Sequence, residues 1–317
     1  MAGTPGPVTQ AFIEEFSANL NYEPNQRKPR IVPFLRQDTM TMGSPKWVDV
    51  ISSEEAEEKV GRMPLAPFHE MDIFRKRAIH ARTGQKFHYY DHTDRYNMNY
   101  DQDAPIYAEQ NAALARKMDR FVIDALENPA EERVTTTGTP VTTSVNYDNT
   151  NQAIDVGIGH ASNNTGLNLL KLIRAKSIFG INDVEEDMYG KRILLVSQVQ
   201  LDDLYEEIKA VGNAGDIMAF DKIYDADGIG GFRGFQIVRS QQLTISSNVR
   251  NCFMFYGDAL TWCTQESTQV EIFPDPTRVD TTRIRTFFRG GAARIQDKLV
   301  VKIPCDESYD YAGTAKP

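Results

Sequence analysis

Two histidines four residues apart are the first place in this sequence where chemistry could reside. His88-Tyr89-Tyr90-Asp91-His92, with Asp94 close by, puts two imidazoles and a carboxylate into one short segment. On a helix His88 and His92 would share a face, as the zinc ligands of an H-E-x-x-H helix do. The enzyme this permits is a metal-dependent hydrolase working through His88, Asp91 and His92. Two features oppose it: the glutamate of that motif is missing, and Tyr89-Tyr90 favours turn or strand over helix. A solvated polar segment is the expectation. His69, His80 and His160 have no partner evident in the sequence, so each is expected to be structural.

Other motifs fail on spacing. Asp225-Ala226-Asp227-Gly228 opens like a calcium loop, but an EF-hand needs an oxygen ligand at its fifth position and a bidentate glutamate at its twelfth. Ile229 and Gln236 stand there, so a surface turn is expected. The glycines from Gly228 to Gly234 are wrongly spaced for a dinucleotide fingerprint. No phosphate-binding Walker sequence and no G-x-S-x-G nucleophile elbow occurs. Glu185-Glu186-Asp187 reads as a solvated connection. No catalytic group, cofactor or metal is therefore expected, and the chain is not expected to be an enzyme.

Bulk properties narrow the class further. The 317 residues are 41% hydrophobic and 25% charged, a globular balance with no apolar run able to span a bilayer. The first 16 residues lack the basic start and apolar stretch of a secretion signal. Cys252, Cys263 and Cys305 are widely spaced, which opposes a disulfide scaffold or a zinc site and suits a reducing cytoplasm. The net charge of −9 opposes tight nucleic-acid binding, which draws most of its affinity from phosphate neutralisation.

The elements that would position any site are mixed but do not alternate, so the fold class is α+β. Residues 1–40 are rich in proline and glycine, with one amphipathic stretch from Ala11 to Leu20. From 40 to 95 an acidic patch (Glu54, Glu55, Glu57, Glu58) precedes a turn and a basic patch (Arg75, Lys76, Arg77, Arg82) follows it. Ser52 could cap a short helix there. Few core residues lie in this excursion. A long helix is predicted from Ala104 to Leu126, capped by Asp103 and ended by Asn128-Pro129. Its apolar stripe is Tyr107, Leu114, Met118, Phe121 and Ala125. Short strands follow near 134–145. A second helix is predicted over 166–179, capped by Thr165, stopped at Gly180 and carrying Lys171, Arg174 and Lys176 on an exposed basic face. The strand Arg192–Val196 leads into helical spacing over 198–210, and the remainder is mostly β. Gly290-Gly291 is expected to mark a bend or bulge between two strand-like runs.

The second half of the chain holds, in order, Leu170-Lys-Leu-Ile-Arg-Ala-Lys-Ser-Ile-Phe-Gly-Ile-Asn182, Arg192-Ile-Leu-Leu-Val-Ser-Gln-Val-Gln-Leu-Asp-Asp-Leu204, Gly234-Phe-Gln-Ile-Val-Arg239, Arg250-Asn-Cys-Phe-Met-Phe-Tyr-Gly-Asp-Ala-Leu260, Ala293-Arg-Ile295 and Val301-Lys-Ile-Pro-Cys-Asp-Glu307. With this ordered set the chain resembles the major capsid proteins of tailed bacteriophages. Tyr107 through Arg120 is similar too. The resemblance covers the chain from about residue 100 onward and is weak before it.

It implies the Hong Kong 97-type capsid fold: N-terminal arm (1–39), extended E-loop hairpin (40–95), peripheral domain (96–190, spine helix 104–127), axial domain (191–274) and a return to the peripheral domain (275–317). The implied function is self-assembly, as hexamers and pentamers, into an icosahedral shell enclosing double-stranded DNA without sequence-specific binding. The acidic charge is compatible with enclosing a genome without adhering to it. The implied place is the virion capsid, assembled in the host bacterial cytoplasm, with no membrane partner. Partners besides the chain itself would be a portal, a decoration protein in capsids that carry one and, if the chain starting at Met1 without a long helical charged leader is the full product, a separate scaffolding protein. Crosslinks through Lys59 or Lys76 are not expected. Glu54, Glu55, Glu57, Glu58, Arg75, Lys76, Arg77 and Arg82 are the candidates for contacts between subunits. A nanocompartment shell of the same fold, enclosing an enzyme in place of a genome, is the other shell reading.

Overall fold

The structure, a computed structural model, describes residues 26–41, 45–51, 73–91, 103–136, 139–184, 189–211, 231–232, 234–274, 277 and 281–316. The Ala11–Leu20 stretch, Ser52, the four glutamates of the acidic patch, Lys59, His69, His92 and the Asp225 loop lie outside the described residues. Strands β1 (Arg36–Thr39), β2 (Lys46–Ile51), β3 (Ile73–Ile79) and β4 (Arg82–Asp91) precede helix α1 (Asp103–Glu127). Strands β5 (Ala130–Thr136) and β6 (Thr139–Val145), helix α2 (Leu169–Ile181), strand β7 (Arg192–Val196) and helix α3 (Gln198–Val211) follow. The rest is β8 (Gly231–Phe232), β9 (Phe235–Arg239), β10 (Ile245–Ser246), β11 (Val249–Tyr256), β12 (Leu260–Pro274), β13 (Thr281–Arg294) and β14 (Val300–Asp306). The α+β class is what the chain adopts.

Two compact units share these elements. One comprises the described parts of 29–83, 118–267 and 289–317; the other those of 1–28, 84–117 and 268–288. Helix α1 and strands β4, β12 and β13 run through both.

In the larger unit one sheet has the order β10-β11-β7-β9-β8, with β14 also paired to β11. Four of the five β7 residues are buried, as a strand covered on both faces requires. Strands β7 and β9 are parallel, with α3 in the crossover between them. Helix α3 starts on a capping-box pair: the Ser197 backbone N–H donates to Gln200 Oε1 at 3.2 Å. Helix α2 lies on this sheet through Phe179, whose ring meets Tyr256 edge-on at 5.1 Å and Phe235 at 6.2 Å. A second sheet, β2-β3-β5-β6, is antiparallel throughout. A small core of Met40, Ile79, Cys263, Ala293 and Ile295 also takes in Val48 and Val50 of β2. In the smaller unit the buried Gln110 of α1 joins the Ile284 carbonyl and the Thr286 hydroxyl of β13.

Several expectations need correction. Helix α2 begins at Leu169, and its cap is Asn168, whose side chain accepts from the Lys171 N–H at 2.9 Å. Thr165 is buried upstream, its hydroxyl turned to the carbonyls of Val156 and Ile158. Gly180 does not stop the helix, which runs on to Ile181. Lys171 is not on an exposed face: it is fully buried. On α1 Leu114 and Phe121 are buried as expected, but Tyr107, Met118 and Ala125 are only partly so. Ala115, Asp119, Val122 and Leu126 carry the buried face round.

Gly290 and Gly291 lie inside the unbroken strand β13, so they do not separate two runs. Close backbone approach explains both. A Cβ on Gly290 would stand 2.9 Å from the Cys263 carbonyl oxygen, and one on Gly291 would collide with the His80 carbonyl.

Candidate assembly surface

The basic residues of the excursion sit on β3 and at the head of β4, each beside an acid of the same chain. Arg75 is 64% exposed and lies 3.5 Å from Glu132, while Lys76 pairs with Asp49 at 3.0 Å. Arg77 is only 6% exposed; its Nη2 meets Glu132 at 2.9 Å and Asp297 at 2.8 Å. Antiparallel pairing of β3 with β5, which sets Arg77 opposite Glu132, brings these charges together. Arg82 lies 3.9 Å over the Phe121 ring and donates to Asp124 at 3.2 Å. Strand alternation separates Lys76 from Arg75 and Arg77, so the sequence patch is not one surface patch.

Arg77 leads into a buried cluster that sequence reasoning missed. Arg294 is fully buried, ion-paired through Nε to Asp297, and Nη1 donates to the Leu126 carbonyl at 2.9 Å. That carbonyl belongs to the last turn of α1, so the guanidinium completes the spine helix at its negative end. The cation also lies 5.0 Å over the Tyr147 ring. Burial raises the Tyr147 hydroxyl well above its ordinary value. With Glu132 and Asp297 the two arginines form a charge-balanced group where α1, β3, β5 and β13 meet. Arg77 was singled out only as part of the basic patch and Arg294 only within a family motif, and nothing in the spacing linked the two.

Asp119, Lys171 and Asp203 are among the other buried polar groups. Asp119 of α1 accepts the backbone N–H groups of Arg30 at 2.8 Å and Ile31 at 3.0 Å, anchoring the segment before β1. Lys171 donates to the carbonyls of Thr165 at 2.8 Å and Pro304 at 3.0 Å, and burial lowers its pKa. Asp203 of α3 is 3% exposed and meets Lys316 at 2.5 Å; burial pushes it up to about 6. All three tie segments of one fold together.

The described histidines form no centre. His88 lies exposed on strand β4 with Asp91 in the same strand. His80 contacts Glu131, and His160 Nδ1 accepts the N–H groups of Ser162 and Asn163 in a turn. Among the described residues no three His, Cys, Asp or Glu side chains gather as a metal site, and no helix is long and apolar enough to cross a membrane.

Comparison with solved structures defines the class. The fold matches the capsid of Ralstonia phage GP4 with a TM-score of 0.69 at 9% identity, covering 96% of this chain and 95% of that one. It matches the cyanophage Pam1 capsid asymmetric unit with a TM-score of 0.66 at 13% identity, covering 99% and 100%. Mycobacterium phage Che8 matches with a TM-score of 0.61 at 15% identity, covering 92% and 97%. The fold is that of a capsid subunit of the Hong Kong 97 type. The chain belongs to the phage capsid protein family, whose model matches residues 8–307. It is a structural protein of the virion shell and not an enzyme. No curated protein matches the sequence.

Proposed function

We propose that this chain is the major shell subunit of a tailed phage, closing as hexamers and pentamers into an icosahedral capsid around double-stranded DNA. One observation carries the reading: the match to a capsid subunit runs end to end, over 99% of this chain and 100% of its Pam1 counterpart. The layout follows as arm (1–39), E-loop (40–95), peripheral domain (96–190 and 275–317) and axial domain (191–274). Assembly takes place in the host bacterial cytoplasm, with a separate scaffolding protein and a portal as partners and a decoration protein in capsids that carry one. The net charge of −9 favours enclosing DNA over gripping it.

The acidic patch (Glu54, Glu55, Glu57, Glu58) and the basic side of the excursion act between subunits in this reading. Arg75 and Lys76, 64% and 39% exposed, are the basic residues best placed for it. Arg77 and Arg82 are engaged by Glu132, Asp297 and Asp124 of their own chain. Electron microscopy of the expressed protein tests the whole reading. Closed shells or capsomer rings are expected, and DNA inside phage-derived particles separates a virus from a nanocompartment. A monodisperse monomer in light scattering, across salt and with scaffold co-expressed, would reject it.

A further inference from the structure

Between helix α2 and the sheet of the larger unit runs an apolar cleft of about 280 Å³. Leu194 of β7 and Met254 of β11 are direct partners in the sheet, and with Phe235 of β9 they form its floor. Leu172, Ile173, Lys176 and Ser177 recur at helical spacing and make its wall. Ile173 stands 41% exposed at the mouth, while the floor residues and Leu172 are buried. Lys176 and Ser177, both exposed, are the polar part of the lining, and no carboxylate among the described residues lines it. Arg174, also exposed, adds positive charge nearby.

Physical limits select what such a cleft can hold. An α-helix, about 10 Å across, is too broad for it. An extended peptide would bring backbone N–H and C=O groups against an apolar floor, where unpaired polar groups are costly. An alkyl chain brings no such groups and gains free energy by leaving water. The volume lies near the small end of ligand pockets, about 300 Å³, which suits one chain. The basic mouth, without an opposing acid in the lining, favours an anionic head. We propose that the cleft binds a free medium-chain fatty acid, its tail on Leu194, Phe235 and Met254 and its carboxylate at Lys176. The site belongs to a single chain, so it stands or falls independently of the shell reading.

Titration calorimetry of dodecanoate, kept below its micelle concentration, into the full-length purified subunit tests it. One dodecanoate should bind per chain, saturably, and the melting temperature should rise as ligand is added. Ser177→Leu fills the cleft from an exposed helix position. It should keep the circular dichroism and ligand-free melting of the wild type yet weaken binding about tenfold or more. Lys176→Glu should weaken dodecanoate about fivefold, the size of one exposed charge contact, and strengthen dodecylammonium by a similar factor. Unsaturable binding, or equal binding by wild type and a folded Ser177→Leu, overturns the proposal, because the acid would then act as a detergent on the whole surface. Should Ser177→Leu not fold, the exchange of preference by Lys176→Glu decides, and its absence overturns the proposal. The wild type should stay in solution with phosphatidylglycerol vesicles. Sedimentation with them would make a lipid surface the occupant and overturn the free acid.

Discussion

At the scale of single residues, the polar groups that matter are those whose charges are buried. Arg294 is held by Asp297 and by the end of the spine helix, so Arg294→Ala would take from Asp297 one of its two guanidinium partners, leaving Arg77, and from a helix carbonyl its donor. Breaking such a pair typically costs about 3–5 kcal/mol. Urea denaturation should show a loss of that order, and a change under 1 kcal/mol would mean that solvent readily replaces the guanidinium. Asp203 makes a prediction in pH. Burial raises it to about 6 from an ordinary 3.8, with the Lys316 ammonium opposing and Glu206 and Asp310 adding to the rise. The folded state therefore favours the protonated acid. This contribution is full below about pH 4 and is lost as pH rises through about 6, at most about 3 kcal/mol across that window. Asp203→Asn should remove this part of the pH slope. Melting temperatures of wild type and variant from pH 4 to 7.5 that run parallel would show that the shift is absent.

At the scale of elements, backbone approach and helix packing decide more than local propensity does. Gly291→Ala places a methyl group against the His80 carbonyl oxygen, a backbone atom that cannot rotate away. The variant should be insoluble or lose about 2 kcal/mol or more, whereas Gly180→Ala, open to solvent, should leave the isolated subunit as stable or more so. Phe121→Ala should cost about 3–5 kcal/mol, because its ring is buried and also carries the Arg82 guanidinium. Soluble protein of wild-type stability would place the buried face of α1 elsewhere. The spine helix, β7 and β9 were legible in the sequence, since an uninterrupted apolar period or run announces them. The start of α2 was not: Thr165 and Asn168 are both good caps, and which one serves depends on the carbonyls of Val156 and Ile158, which the turn just upstream folds back onto Thr165. Lys171 was misread for a related reason. A lysine on a helix is ordinarily solvated, and the carbonyls that bury this one come from residue 165 and, across the sheet, from residue 304. The Arg77–Glu132–Asp297–Arg294 group could not be found by spacing, because three separate chain segments contribute to it.

At the scale of the whole molecule, the question is what the segregated charges of the excursion do once many copies meet. Glu54, Glu55, Glu57 and Glu58 come before Arg75 and Lys76 in the sequence, and the two basic residues are substantially exposed. Within one chain each exposed pair contributes roughly 0–1 kcal/mol, so segregation would hardly matter to a lone subunit. Were the patches to meet between subunits, the contact would recur at every subunit of a capsomer, the small terms would add, and complementary sign would set the register between neighbours. Converting the four glutamates to lysine should block assembly while circular dichroism shows a folded subunit. Partial rescue should come from Arg75→Glu with Lys76→Glu. Arg77 must be left alone, because reversing a side chain that is 6% exposed against Glu132 and Asp297 would break the subunit itself. The outcomes separate the readings. Solvated, idle patches predict normal particles from the four-lysine variant. Pairing confined to one hairpin predicts local loss of order, seen as faster amide exchange over residues 46–51 and 73–79, with no capsomer defect. Contact between subunits predicts a folded, unassembled protein whose defect shrinks as salt rises, because screening weakens the new repulsion among the lysine patches and their basic neighbours.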